Sequence, residues 1–477
     1  MKRYIIPTLM LISLSLVSCK KFLDVEAPKD KLVTATVFEN DETAIATITG
    51  IYSRMYVESN NLLGYHLNFQ FALLADELRN YSSGAEVVRV YTNSLNAANP
   101  TTPNYWQLGY NFIYNANSIY EGCENSKAMT PAVKKQIMAE SLFVRAWWHF
   151  FLTNVYGDIP ILTNTDYETN RIKSRSAQAD VYKQVVADLV KAKSEISELY
   201  LAGNTIAAST DRVRPNKSVV SAFLARVYLY AGQYSEAEAE ATTLITNTAQ
   251  YKLSATGSTF LKSSTEAIWQ LMTPLPSTTT ANTFEALHFV LNTKPSSVAG
   301  TNCVTISSSL LAAFEATDKR KGDWIGKFTD NTVTPNVDYF YPAKYKSIST
   351  TVSTEYTTLL RLGEQFLIRA EARLAQNNLN GAAEDVTAIR VRAGLLPTTA
   401  SDKPALTAAI AQERRLELFV EYGHRWFDLK RTNKINEVME FAAPAKGSTW
   451  ASYKQLFPIP IREVQSAPNL KQNLGYN

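Results

Sequence analysis

Along most of this chain apolar residues recur every three or four positions with polar residues between them, the period of an amphipathic helix. The first such stretch opens at Asn40, a suitable N-cap, with Asp41 and Glu42 in a first turn where acidic groups complement the helix dipole. Ile45, Ile48 and Tyr52 then fall on one face. The same period predicts helices over 104–124, 132–155, 178–200, 216–231, 234–247, 359–376, 380–393 and 405–422. Two regions break the pattern. Residues 81–104 carry Ser82-Ser83-Gly84 and Asn99-Pro100, and residues 250–350 are rich in Ser, Thr, Pro and Gly, with short β-like runs such as Ala267–Leu271. Long irregular segments on a rigid scaffold tend to be functional surfaces.

The helical pattern also repeats. Ala225 and Ala237 lie twelve residues apart across Gly232-Gln233-Tyr234, and Ala370 and Ala382 lie twelve apart across Asn378-Leu379. Small residues at that spacing let two antiparallel helices approach closely, as in a tetratricopeptide hairpin. Val144-Arg145-Ala146-Trp147 is a weaker third copy of the first helix. The expected fold is mostly α, a tetratricopeptide-like hairpin scaffold with a loop-rich, partly β subdomain.

The N-terminus bears on location. Lys2 and Arg3 precede an apolar run from Ile5 to Val17, short of the roughly 20 residues a spanning helix needs. It has the layout of a secretory leader, and Leu16-Val17-Ser18-Cys19 looks like a bacterial lipobox, with cleavage before Cys19 and acylation of its thiol. The expected organisation is a leader over 1–18, a tether over 19–39 and a single domain over 40–477. Loss of Lys2 and Arg3 lowers the formal charge from +4 to +2, which gives no reason to expect a nucleic-acid partner. Cys123 and Cys303 are too few for a disulfide framework, though one bridge between them is open, and neither has metal-ligand spacing.

Catalytic chemistry finds little support. Glu413, Glu417 and Glu421 stand at i, i+4 and i+8, whereas a glycosidase needs two carboxylates facing each other about 5–10 Å apart. Arg414, Arg415 and Arg425 surround them. Glu421–Arg425 and Arg425–Asp428 have intrahelical ion-pair spacing, so the stripe reads as charge satisfaction between packed helices. His66, His149, His288 and His424 share no ligand spacing, and there is no nucleophile elbow or glycine-rich phosphate loop. No catalytic residue, metal or cofactor is expected. Aromatic residues make up 11% of the chain. Trp106, Trp147, Trp148 and Trp269 read as core, and His149 as a packed neighbour. Ligand candidates fall in or beside the irregular regions: Asp76, Arg79, Tyr81, Arg89, Tyr91, Trp324 and Tyr339. Rings that stack on sugar faces and side chains that bond hydroxyls are what an oligosaccharide site needs.

Several blocks together resemble one family. Leu142–Trp148 running to Tyr156-Gly157-Asp158-Ile159-Pro160, and Arg214-Pro215-Asn216-Lys217 before Leu224–Leu229, are similar to SusD/RagB helix entries. Asp318-Lys319-Arg320 resembles that family's Asp-Pro-Arg block, with Lys319 in place of proline. Leu362-Gly363-Glu364 to Ala372, Glu413–Leu418 with Glu421, Arg425 and Asp428–Arg431, and Leu456–Pro460 with Pro468-Asn469-Leu470 and Gln472-Asn473 complete the resemblance. It implies a surface lipoprotein of the outer membrane, anchored by lipid at Cys19, that binds a glycan (in some members a peptide) and passes it to a SusC-like TonB-dependent transporter. An oligopeptide binder on the same scaffold and a plain tetratricopeptide interaction protein are the alternatives. Near-neutral charge and abundant aromatics lean towards neutral glycans.

Overall fold

The computed structural model describes residues 37–57, 62–274, 280–298 and 302–476. The leader, Cys19 and almost all of the tether lie outside the described residues. Among those described, the helices are α1 (Asp41–Val57), α2 (Leu67–Leu74), α3 (Ala85–Tyr91), α4 (Tyr105–Asn125), α5 (Pro131–Tyr156), α6 (Tyr167–Asn170), α7 (Gln178–Glu195), α8 (Lys217–Tyr230), α9 (Tyr234–Thr246), α10 (Phe284–Phe289), α11 (Ser308–Ala312), α12 (Lys319–Trp324), α13 (Leu362–Ala375), α14 (Leu379–Arg392), α15 (Lys403–Glu417), α16 (His424–Arg431), α17 (Ile435–Ala442) and α18 (Ile461–Ser466). Three antiparallel two-stranded ribbons join β1 (Leu78–Asn80) to β3 (Val304–Ile306), β2 (Ala267–Leu271) to β6 (Thr357–Arg361), and β4 (Ile325–Asp330) to β5 (Val337–Pro342).

Capping starts the helices where the sequence indicates. The Asn40 side chain accepts from the Thr43 amide at 3.0 Å, and Asn216 from the Val219 amide at 3.0 Å. The central element is α5, about 39 Å long at 1.5 Å per residue, with every residue from Ala139 to Tyr156 buried. It packs on α4 and α7. Trp147 meets Phe223, Trp269 and Tyr422 at centroid distances of 4.6–5.0 Å, and Trp148 stacks on Phe112 at 4.8 Å.

The hairpins are α8–α9 and α13–α14, which pack side by side through α9 and α13. Ala225, Ala237, Ala370 and Ala382 are all fully buried, as a close helix–helix approach requires. Next to the small residue of each first helix stands a buried arginine with an acidic partner. Arg145 pairs with Asp188 of α7, Arg226 with Glu364 of α13, and Arg369 with Asp385 of α14, each at 2.6 Å.

Three expected helices differ at their ends, and the one expected to reach 200 stops at Glu195, where Ile196 turns extended. Residues 359–361 belong to β6, where burial against β2 outweighs the helical period. The helix expected to reach 422 stops at Glu417, because Val420, Tyr422 and Gly423 take φ of 51°, 47° and 70°. That break removes Glu421 from the helical stripe and from Arg425, and the expected Arg425–Asp428 pair does not form although both residues lie in α16. Glu421 instead binds Arg361 and Lys344, Arg425 binds Asp76, and Asp428 binds Arg414 and Arg431. Cys123 and Cys303 are both buried, with no disulfide between them. No described helix is long and apolar enough to cross a membrane.

Candidate functional site

The carboxylate stripe has a closed, ionic environment. Glu417 accepts from Arg361 at 2.6 Å, Arg320 at 3.1 Å and also Arg392, while Glu266 holds Arg361 at 2.8 Å and Arg392 at 3.2 Å. Burial alone would raise the Glu417 carboxyl; Arg392, Arg361 and Arg320 outweigh it and hold the group well below the usual range. Asp318 caps α12 and pairs with Arg320 at 2.8 Å. Residues of the SusD-like blocks therefore form a buried ionic frame between helices. His149 is equally structural. Its Nε2 accepts from the Leu162 amide, so its proton sits on Nδ1 facing the Arg145 carbonyl, and burial lowers its pKa to about 4.

An open cavity of about 820 Å³ lies elsewhere, where distant stretches of chain converge. The turn from α2 into β1 supplies Asp76, β1 itself supplies Leu78 and Arg79, and α3 supplies Tyr91. Ser307–Ser309 come from the start of α11, Arg415 from α15, Arg425 from α16, Phe441 from α17, and Lys446 from the turn beyond it. Asp76 organises one wall. It accepts from Arg425 at 2.7 and 2.9 Å and from Arg415 at 2.9 Å, while its own carbonyl accepts the Ser307 hydroxyl at 2.6 Å. Burial raises the Asp76 carboxyl, but the hydrogen bond and charge of Arg425, with the charge of Arg415, bring it below its ordinary value. Lys446 donates to the Leu73 and Leu74 carbonyls and lies 5.2 Å from the Tyr91 ring centre. Phe441, 87% exposed, offers a bare ring at the rim. A second groove of about 560 Å³ between α13, α15, α16 and α17 shares Arg415 and Arg425 with this one.

The structure sorts the sequence candidates. Asp76, Arg79 and Tyr91 line the cavity. Tyr81 lies beside it, with the Arg79 guanidinium 5.0 Å from its ring centre and Tyr339 edge-on at 5.9 Å. Arg89 sits on α3 without reaching the wall. Trp324 is excluded: it is 1% exposed, donates its indole N–H to the Thr256 carbonyl at 2.7 Å, and packs under the cations of the ionic frame. Sequence reasoning missed Ser307–Ser309, Lys446 and Phe441. Phe441 could have been found, since Ile435, Val438, Met439 and Ala442 form the apolar stripe of α17 and Phe441 falls outside it.

Known proteins agree with this architecture. A family model described as "Starch-binding associating with outer membrane" matches residues 21–229, and one described as "SusD family" matches 324–476. A SusD-like protein of Formosa agariphila is 25% identical over 527 aligned residues, covering 100% of this chain and 99% of its own. The starch-binding protein SusD of Bacteroides thetaiotaomicron is 31% identical over 165 residues, 33% of this chain and 28% of that one. A solved laminarin-binding SusD-like protein superposes with a TM-score of 0.72 at 23% identity, covering 92% of this chain and 100% of that one. A SusD superfamily protein from Bacteroides vulgatus gives 0.76 at 18% identity, covering 91% and 99%. With the matched models, full-length relatives and shared helical architecture all in agreement, the chain belongs to the SusD/RagB family, a family of binding proteins associated with the outer membrane.

Proposed function

We propose that this protein captures an oligosaccharide at the cell surface and delivers it to a SusC-like TonB-dependent transporter, with lipid on Cys19 as its anchor and residues 40–477 acting as one domain. The observation that carries the reading is the cavity around Asp76, Arg79 and Tyr91. Its volume of about 820 Å³ falls within the about 300–1,000 Å³ usual for ligand sites. It combines the exposed Phe441 ring and Tyr91 with serine hydroxyls and guanidinium donors, the mix that receives the C–H face and the hydroxyl edge of a sugar. Relatives named for starch and laminarin binding support the same class. Capture alone moves nothing across a membrane, so the reading requires a pore-forming partner.

Gentle detergent extraction followed by pull-down on this protein tests the transport half. A large outer-membrane β-barrel should be recovered in near-equal amount, held by an interface of roughly 2,000 Å² or more. Recovery of this chain alone, under conditions that keep other outer-membrane complexes intact, would refute it.

A further inference from the structure

The cavity carries more positive charge than its carboxylates cancel. Among the described residues Asp76 is the one carboxylate of the inner wall, and it already holds both Arg415 and Arg425. Glu437 stands at the outer edge with Lys434 2.7 Å away, an exposed pair that cancels itself. Glu77, beside Asp76 in the chain, is buried, and burial and the Asp76 charge raise it to about 8, which favours its protonated form at neutral pH. Two guanidinium groups are left underused. Arg79 is exposed, rests on the Tyr81 ring and makes no ion pair with a described residue. The Arg415 Nε is closed off and has no hydrogen-bond acceptor among the described residues, although the same guanidinium reaches Asp76 and Ser309 through its other end. Such a donor is costly; the Nε itself lies out of a ligand's reach, but the Arg415 side chain lines the cavity and shares Asp76 with Arg425.

Planar guanidinium groups match the oxygens of carboxylates and sulfates better than they match sugar hydroxyls. Resting on the reading of this cavity as a glycan site, we propose that it takes an oligosaccharide bearing an anionic group, a uronate carboxylate or a sulfate ester. Arg79 and Arg415 would face the oxyanion, and Tyr91 and Phe441 the ring faces. The near-neutral charge of the whole chain, which leaned towards neutral glycans, does not describe this spot.

Calorimetric titration of the full-length protein in detergent tests the proposal with three probes: oligogalacturonate, a sulfated carrageenan oligosaccharide, and neutral laminarin oligosaccharide. At least one acidic probe should bind about tenfold or more tighter than laminarin, and its affinity should fall as salt rises from about 50 to about 500 mM. Which acidic probe binds separates carboxylate from sulfate. Arg79→Gln, at an exposed site with no ion pair to break among the described residues, should weaken that binding about tenfold, a larger loss than for laminarin, and Arg79→Lys should recover part of it. Laminarin binding as tightly as the tighter of the two acidic probes, or acidic binding indifferent to Arg79→Gln, would overturn the proposal. If laminarin alone bound and Phe441→Ala abolished that binding, the cavity would remain a glycan site and only its anionic preference would fall. If none of the three bound, both readings would fall.

Discussion

Glu417→Gln is the perturbation that most sharply probes the ionic frame. Five cations (Arg320, Lys344, Arg361, Arg390 and Arg392) meet five buried carboxylates (Glu266, Asp318, Glu413, Glu417 and Glu421), with the half-exposed Glu315 also on Arg390, so the buried part of the cluster is balanced. Glu417 is fully buried and touches three of the five cations. Its removal leaves an uncompensated positive charge in a closed site, and breaking such a pair from one side costs about 3–5 kcal/mol. With unfolding entropy of about 2.1 cal/mol/K per residue over roughly 440 residues, that is about 3–5 °C in melting temperature. Glu437→Gln is the control, because its partner Lys434 and Glu437 itself are 61% and 71% exposed and such pairs contribute about 0–1 kcal/mol. The loss should also depend on pH. Burial lowers Lys344 to about 8 against the pull of Glu421, and without Glu417 it drops further, so at about pH 9 the variant sheds the excess proton and loses less stability relative to wild type. Thermal unfolding of both variants at about pH 6 and about pH 9 reads all of this. A Glu417→Gln melt matching that of Glu437→Gln at both pH values would refute the balanced-cluster argument.

Other outcomes follow from the same structure. Ala225→Leu and Ala370→Leu should each cost about 1–3 kcal/mol by overpacking a helix contact, measured by denaturant unfolding. Wild-type stability should fall below about pH 4, because Asp76, Glu417, Glu421 and Asp428 all titrate below their ordinary values; their contribution is complete above the unfolded-state pKa and is lost as pH drops through the folded one. A flat stability profile to about pH 2 would contradict those depressed values. Phe441→Ala, at an exposed ring, should leave the melting temperature unchanged and reduce oligosaccharide affinity about tenfold, a loss of about 1–1.5 kcal/mol of ring contact, seen by titration. Cys19→Ala should release the protein from the membrane fraction, since lipid on that residue would be its anchor; retention at wild-type level after high-salt washing would contradict the assignment.

The scaffold was legible because its signals are local. Helical period, an Asn cap and paired alanines all act within about twenty residues, and α1, α8–α9 and α13–α14 stand where those signals put them. The ion pairs were misread for the same reason. Spacing alone made Glu421 and Arg425 helical partners, while the left-handed turn through Val420, Tyr422 and Gly423 sends them to Arg361 and Asp76. The cavity was half legible. Asp76, Arg79 and Tyr91 were reachable as polar and aromatic residues next to an irregular segment. Ser307, Arg415, Phe441 and Lys446 join them only through tertiary folding. Trp324 shows the converse, since an aromatic in a region expected to be irregular is a buried ring packed against the cations of the ionic frame.

Co-crystallisation with whichever oligosaccharide binds most tightly in solution tests the central claim most directly. The account predicts ordered sugar in the cavity, with one ring face against Phe441 or Tyr91 and a polar group within about 3.2 Å of the Arg79 or Arg415 guanidinium. Ordered sugar in the groove between α13 and α15, with the Asp76 cavity holding none, would contradict it.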